Sequence, residues 1–423
     1  MVYILNKNKQ PLMPTHRHGK VRRLLKEGKA IVVKRTPFTI QLLYETTFYV
    51  ESLVLGVDSG SKVIGLSVSS ESKEYYASEV ELRTDIVDLL STKRQNRRTR
   101  RNRLRYRKPR FNNRTRSKHK GWLAPSIEHK IQTHLKVVED IKKILPISKI
   151  IVETASFDIQ KLKNPDISGV DYQQGEQVDS WNVREYVFFR DKHTCQHCRG
   201  KTKDKRLNTH HIESRKTGGD TPSNLITLCK TCHGLFHQGK FELKIKRGLS
   251  YRDATFMGIM RWTFYNRLKE KYNDIPILNT YGYITKNTRI NNQLEKNHAV
   301  DALCIAGHPQ ALPLKTIYLQ KKLRCHNRQI HKANILKGGK KKNNQTDYQV
   351  KGFRLFDKAT YRGDVCFITG RRATGYFVIK DVEGNILHKS VSFKKLKFIE
   401  TRKSYITHMK RREAIPLITY AIA

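Results

Sequence analysis

A chain of 423 residues is too long for one ordinary domain and predicts two or three. Apolar residues make up 38% of it, enough for packed cores, which excludes a disordered tail protein. Its 84 Lys and Arg against 37 Asp and Glu leave a formal charge of +47, and self-repulsion on that scale calls for a large, lasting nucleic-acid partner.

The opening MVYILNKNKQ lacks the basic-then-apolar pattern of a signal peptide, and no stretch reaches membrane-spanning length. No basic amphipathic helix carries an aromatic face, so no membrane role is expected and the chain reads as cytoplasmic and prokaryotic. Residues 1–50 form a compact opening unit: a turn-like PLMP at Pro11–Pro14, the basic RHGKVRRLLKEGKA, then the strands AIVV and FTIQLL. LVLGVDSGSKVIGLSVSS places two apolar runs about a turn, a β-hairpin. From Thr92 to Arg110 the chain is TKRQNRRTRRNRLRYRKPR. Most charge runs are solvated tails, but this one lies between folded pieces, draws its charge nearly all from Arg rather than Lys, and carries Leu104 and Tyr106. Arginine grips phosphate with two donors and stacks on bases. The run is therefore expected to be a helix lodged in structured nucleic acid, through Arg94, Arg97, Arg98, Arg100, Arg101, Arg103, Arg105 and Arg107.

A helix is expected over 116–146 from the spacing of Ile131, Leu135, Val138, Ile141 and Leu145. SKIIVETASF reads as a buried strand and GVDYQQGEQVDSWN as a linker. A Cys/His region follows, then a helical stretch, two strand-like runs and the short helix NHAVDALCIAG. KGGKKKNNQ breaks the chain again before a run of turns and strands that predicts a small β domain.

Seven cysteines include two Cys-x-x-Cys pairs, Cys195/Cys198 and Cys229/Cys232, a spacing that suits four-thiolate zinc rather than disulfides. Such zinc has no open position and is structural, clamping an insert too small to fold well on its own core. Between and after the pairs stand His210-His211, Asn224, His233 and His237. That order resembles the HNH, or ββα-metal, nuclease motif. The resemblance implies that His211 is the general base and that Asn224 orients it through backbone hydrogen bonds. It also implies that His210 and His233 face Mg2+ (or Mn2+), with His237 a further ligand or a phosphate contact. The plainer reading is a zinc knuckle that binds nucleic acid without cutting it.

Asp58 ends the strand LVLGVD, Glu153 ends KIIVE, and His298 and Asp301 lie three apart on one helical face. Each alone reads as a turn former or a solvated acid. Together, three carboxylates from two strands and a helix could hold two Mg2+ (or Mn2+) ions about 4 Å apart for in-line phosphodiester hydrolysis. The patterns GVDSGS, IIVE and HAVDA resemble RuvC-type nucleases of the RNase H fold, with His298 at the scissile phosphate.

The full order, together with PLMP, TPFTIQL, DIQKLKNPDISGVDYQQG, TKNTR, NHAVDA and GRRATGYFVIKD, resembles the IscB family of transposon-associated RNA-guided nucleases related to CRISPR type II effectors. The resemblance implies an α/β chain whose split RuvC-like core carries an arginine-rich bridge helix and an inserted zinc-stabilised HNH domain. Its boundaries are PLMP 1–50, RuvC segments 51–90, 116–165 and 246–312, bridge helix 91–115, linker 166–180, HNH 181–245, and a C-terminal domain 313–423. It implies a structured guide RNA (omega RNA) and a double-stranded DNA target, HNH cutting the guide-paired strand and RuvC the displaced one. The protein itself would be monomeric within the ribonucleoprotein. A target-adjacent motif would be read by the C-terminal domain, with Arg371 and Arg372 as candidates. The competing readings are an RNA-free homing endonuclease or junction resolvase, and a non-catalytic RNA-binding factor of a transposon.

Overall fold

The computed structural model describes residues 1–104, 121–154, 180, 182–213, 220–243, 245–246, 248, 252–324, 331–332, 342–343, 346–402 and 404–412. They fall into two compact units: residues 1–155 with 259–423, and residues 156–258.

The first unit opens with β1 (Val2–Leu5), β2 (Pro11–Thr15), α1 (His18–Lys26), β3 (Ala30–Lys34) and β4 (Thr39–Leu42), the strands forming a sheet in the order β2-β1-β4-β3. PLMP is thus a strand and not the expected turn. Proline lacks a ladder donor, and the sheet accommodates it because β2 is an edge. The central sheet is built from β5 (Leu53–Asp58), β6 (Val63–Ser69), β7 (Glu74–Glu81) and, after α2 (Ile86–Leu104) and α3 (Pro125–Lys142), β8 (Ile147–Thr154). The helix expected over 116–146 begins among the described residues only at Pro125, where a missing N–H costs nothing in the first turn. In α3, Ile131, Leu135, Val138 and Ile141 are buried.

In the second unit α4 (Val183–Arg190) precedes a hairpin of β9 (Leu207–His211) and β10 (Leu225–Cys229), and α5 (Lys230–His237) follows it directly. The chain then enters α6 (Arg252–Lys271), β11 (Ile277–Tyr281), α7 (Gly282–Asn291), α8 (His298–Ile305) and β12 (Thr316–Lys322). Two short pairs follow, β13 (His331–Lys332) with β14 (Lys342–Asn343) and β15 (Gln349–Val350) with β16 (Phe353–Arg354). An antiparallel sheet comprises β17 (Lys358–Tyr361), β18 (Asp364–Arg371), β19 (Tyr376–Lys380), β20 (Ile386–Ser392) and β21 (Lys397–Glu400), over a core of Ala359, Cys366, Ile368, Phe377 and Ile379. The last strand, β22 (Tyr405–Arg411), returns to the central sheet, whose order is β11-β8-β5-β6-β7-β12-β22. A break at 313 therefore does not follow the sheets, because β12 and β22 flank the small β sheet in sequence yet pair with each other, and β12 pairs with β7.

β8 runs parallel to both β5 and β11, which brings the ends of β5 and β8 to the same edge. Helix α8 lies directly on β5 and β6 because two glycines let it. A Cβ on Gly56 would stand 1.9 Å from the Ala302 carbonyl oxygen, and one on Gly65 would stand 1.9 Å from that of His298. Both obstacles are backbone, so relief requires moving the helix. Gly65→Ala is expected to lower stability by about 1–3 kcal/mol or more, read as a fall in melting temperature; an unchanged melting curve would refute this packing argument.

Candidate nuclease sites

In the second unit the hairpin aligns Ile226 with His210 and Leu225 with His211. Successive side chains on a strand leave opposite faces. His210 is buried, against the following helix; its ring centroid lies 4.5 Å from Phe236, 5.1 Å from His233 and 5.3 Å from His237. His233 and His237 are one helical turn apart, so both can turn toward His210. One nitrogen from each of the three lies within 4.8 Å of the others. Burial, and then the neighbouring imidazoles, push His210 down to about 4, and burial lowers His233 as well. Both rings are therefore held neutral, the form that ligates metal.

His211 is only partly exposed, and its Nε2 meets Asp220 Oδ1 at 2.8 Å. If Asp220 accepts the Nε2 proton, Nδ1 is the nitrogen left with a lone pair. Sequence reading missed Asp220, which lies nine residues away across a hairpin connection; an acid inside TGGD reads as a turn former. His210, His211, His233 and His237 all line one open cleft of roughly 360 Å3. Asn224, wholly buried, bonds to the backbone of Glu213, two residues beyond His211: its Oδ1 accepts from Glu213 N at 2.9 Å and its Nδ2 donates to Glu213 O at 3.1 Å. Its own carbonyl accepts from Ile212 N at 2.9 Å. Asn224 thus fixes the chain leaving His211.

Asp220→Asn is expected to slow any cut that uses His211 by about 10- to 100-fold, by analogy with other groups that orient a histidine. A strand-resolved rate measurement checks it, and a wild-type rate in the variant would count against an orienting role.

The four cysteines close a second set, with one sulfur from each within 4.8 Å of the others and Cys198 Sγ 3.9 Å from Cys229 Sγ. Tetrahedral Zn–S bonds of ~2.3 Å put sulfurs about 3.8 Å apart, so the residues fit zinc. Burial raises the thiols of Cys195 and Cys232, a cost that a bound dication would remove. The histidine set fits a metal of a different kind. Three imidazole nitrogens suit Mn2+, Zn2+ or another transition ion, whereas Mg2+ prefers oxygen. Mg2+ at this set, as first expected, does not match the donors.

In the first unit Asp58 and Glu153 are both buried at the ends of neighbouring strands, while His298 and Asp301 project from the first turn of α8. Asn297 caps that helix, its side chain accepting from Val300 N. Each carboxylate meets a base: Asp58 Oδ2 lies 2.6 Å from His298 Nδ1, Glu153 Oε1 2.9 Å from Arg261 Nη1, and Asp301 Oδ1 2.9 Å from Arg289 Nε. Burial first, then repulsion from Asp58, raises Asp301; burial raises Glu153 against the pull of Arg261. The hydrogen bond to Asp58 raises His298. The donors are hard oxygens that repel one another, which fits Mg2+ or Mn2+. Among the described residues, however, only the cysteine and histidine sets close to within 4.8 Å, and the acids are spread over three basic partners. Arg261 and Arg289 went unseen in the sequence because they belong to α6 and α7, elements other than those that carry the acids.

Of the arginine run, Arg94, Arg97, Arg98, Arg100, Arg101 and Arg103 lie on α2, whose described part already begins at Ile86; Arg105 and Arg107 fall outside the described residues. In the small β sheet, Arg371 donates to the Tyr348 carbonyl and Arg372 Nη1 donates to Ser390 Oγ at 2.7 Å, so both head groups are engaged within the protein. Among the described residues no helix is long and apolar enough to cross a membrane.

Residues 2–175 match the family described as RRXRR protein, and residues 195–239 match the family described as HNH endonuclease. No curated protein matches. Among solved structures the chain is similar to Streptococcus thermophilus Cas9 in complex with the GGAA PAM, at 14% identity and a TM-score of 0.34, covering 62% of this chain and 32% of that one. It is similar as well to the same protein in complex with the AGGA PAM, at 14% identity and a TM-score of 0.34, over 50% and 30% of the two chains. The chain spans about a third of the length of these Cas9 chains. It carries an HNH endonuclease domain, preceded by an RRXRR region.

Proposed function

We propose that the chain is an RNA-guided DNA endonuclease with two sites, of the IscB kind. One observation carries the reading: a histidine cluster with His211 and a separate acid cluster around Asp58 each combine nuclease donors, in different compact units of a chain of charge +47. In the HNH site, His211 Nδ1 takes a proton from water as its oxygen bonds to phosphorus and the bond to the leaving sugar oxygen breaks. Asp220 holds the ring, and Asn224 fixes the chain beside it. His210, His233 and His237 would hold a transition ion, which supplies charge stabilisation at the phosphate. Asp58, Glu153 and Asp301 would hold Mg2+ or Mn2+ at the second site, where His298 stands at the exposed side to meet the phosphate. The HNH site is assigned to the guide-paired strand and the acid site to the displaced strand. The cysteines would bind structural Zn2+, and α2 would lie in the guide RNA.

The test is to purify the chain from cells carrying its native flanking DNA and sequence the nucleic acid bound to it. One dominant structured RNA encoded next to the gene supports guidance and supplies the guide for a cleavage assay. Heterogeneous fragments, with RNA-free protein cutting duplex, would replace this reading by a protein-guided nuclease.

A further inference from the structure

We propose that Tyr281 and Tyr283 form a stacking platform that holds unpaired bases of the displaced DNA strand beside the acid site. This rests on reading Asp58, Glu153 and Asp301 as a nuclease centre. Strand β11 pairs in parallel with β8 so that Thr280 stands opposite Glu153 and Tyr281 opposite Thr154. The next residue, Gly282, lies against the carboxylate itself: a Cβ there would be 3.3 Å from Glu153 Oε1. The two tyrosines therefore bracket the backbone that touches the site.

Their rings are close to parallel, at 10° with centroids 6.2 Å apart, and they are 39% and 66% exposed. Large aromatic rings left in water beside a reaction centre contribute little to the core, yet offer flat faces to a ligand. Helix α7 divides its work by face. Thr285 is buried and Arg289 reaches Asp301, while Tyr283, Lys286 and Ile290, spaced three and seven residues along, are exposed. The helix GYITKNTRIN contains no acid, so it does not add to the repulsion that the carboxylates exert on a phosphate backbone.

These features select the occupant. In a duplex the base faces are already stacked, and only an unpaired strand can present them to a protein ring. Stacking accepts any base, as required of a strand whose sequence the protein does not read. The neighbouring Lys286 complements its phosphates. A phosphate that must approach three acids needs such an adjacent hold.

The experiment uses the RNA-loaded full chain and a duplex target labelled on each strand, comparing wild type, the double variant Tyr281→Ala/Tyr283→Ala, and Tyr283→Phe. The double variant is expected to slow the Asp58-dependent cut by about 10- to 100-fold, mostly as weaker substrate binding. The His211-dependent cut should proceed at the wild-type rate, and Tyr283→Phe should behave as wild type. A 2-aminopurine placed in the displaced strand should be quenched by wild type and not by the double variant. Wild-type rates on both strands in the double variant would overturn the platform, as would equal slowing of both strands. If wild type cuts neither strand, the nuclease reading itself fails and the platform with it, an outcome distinct from the other two.

Discussion

His211→Ala is expected to abolish cutting of one DNA strand while the other is still cut. Losing a positioned general base costs about 10^2- to 10^4-fold. The effect should stay confined to one strand because His211 and Asp58 belong to different compact units with different donors. The reciprocal change, Asp58→Ala, removes both an acid and the partner of His298, 2.6 Å away, and should stop only the other cut. A duplex labelled on each strand in turn reads both outcomes. Should either single change stop both cuts, independent sites would be refuted. The same assay separates the two metal sets. Mg2+ alone should support the Asp58-dependent cut better than the His211-dependent one, and Mn2+ should support both, because imidazole and carboxylate donors differ in hardness.

Cys229→Ser should do more damage than any loss of a catalytic group, because it removes part of a core. The hydrophobic cluster of the second unit consists of Cys195, Cys229 and Cys232 with Ile226 and Leu228, flanked by a few partly buried side chains. Without metal, three of its five buried members are thiols. Cys229 also closes β10 and caps α5, its sulfur accepting from Cys232 N at 3.4 Å and contacting Thr202 Oγ1 at 3.2 Å. Structural zinc supplies about 10–16 kcal/mol in small zinc-dependent folds at neutral pH, more than an insert of this size can replace. Expected results are zinc content falling from one per chain toward zero, rapid proteolysis confined to residues 182–246, and loss of the His211-dependent cut with the Asp58-dependent cut retained. Full zinc content and protease resistance in the variant would contradict a metal-held fold.

Sequence order alone was enough to identify His210, His211, Asn224, His233 and the cysteines as a group, because a short hairpin and the next helix keep their spatial order close to their chain order. Local patterns likewise identified β5, β6, β8 and α8, since a largely buried strand is a mostly apolar run and a helix shows its own period. PLMP was misread because proline signals a turn in isolation, and only the neighbour count of β2 reveals an edge strand. The pairing of β12 with β22 across the break at 313 was not legible for a related reason: 82 residues lie between Lys322 and Tyr405, and pairing over that distance leaves no local mark. Tertiary structure alone decided that Asp220 holds His211, that Arg261 and Arg289 engage Glu153 and Asp301, and that Gly56 and Gly65 admit α8 to the sheet. The sequence determined which chemistries the chain can perform, since donor types are fixed by residue identity. The fold decided which donors meet, because hydrogen bonds and steric contacts depend on distances of a few ångströms that chain separation does not encode.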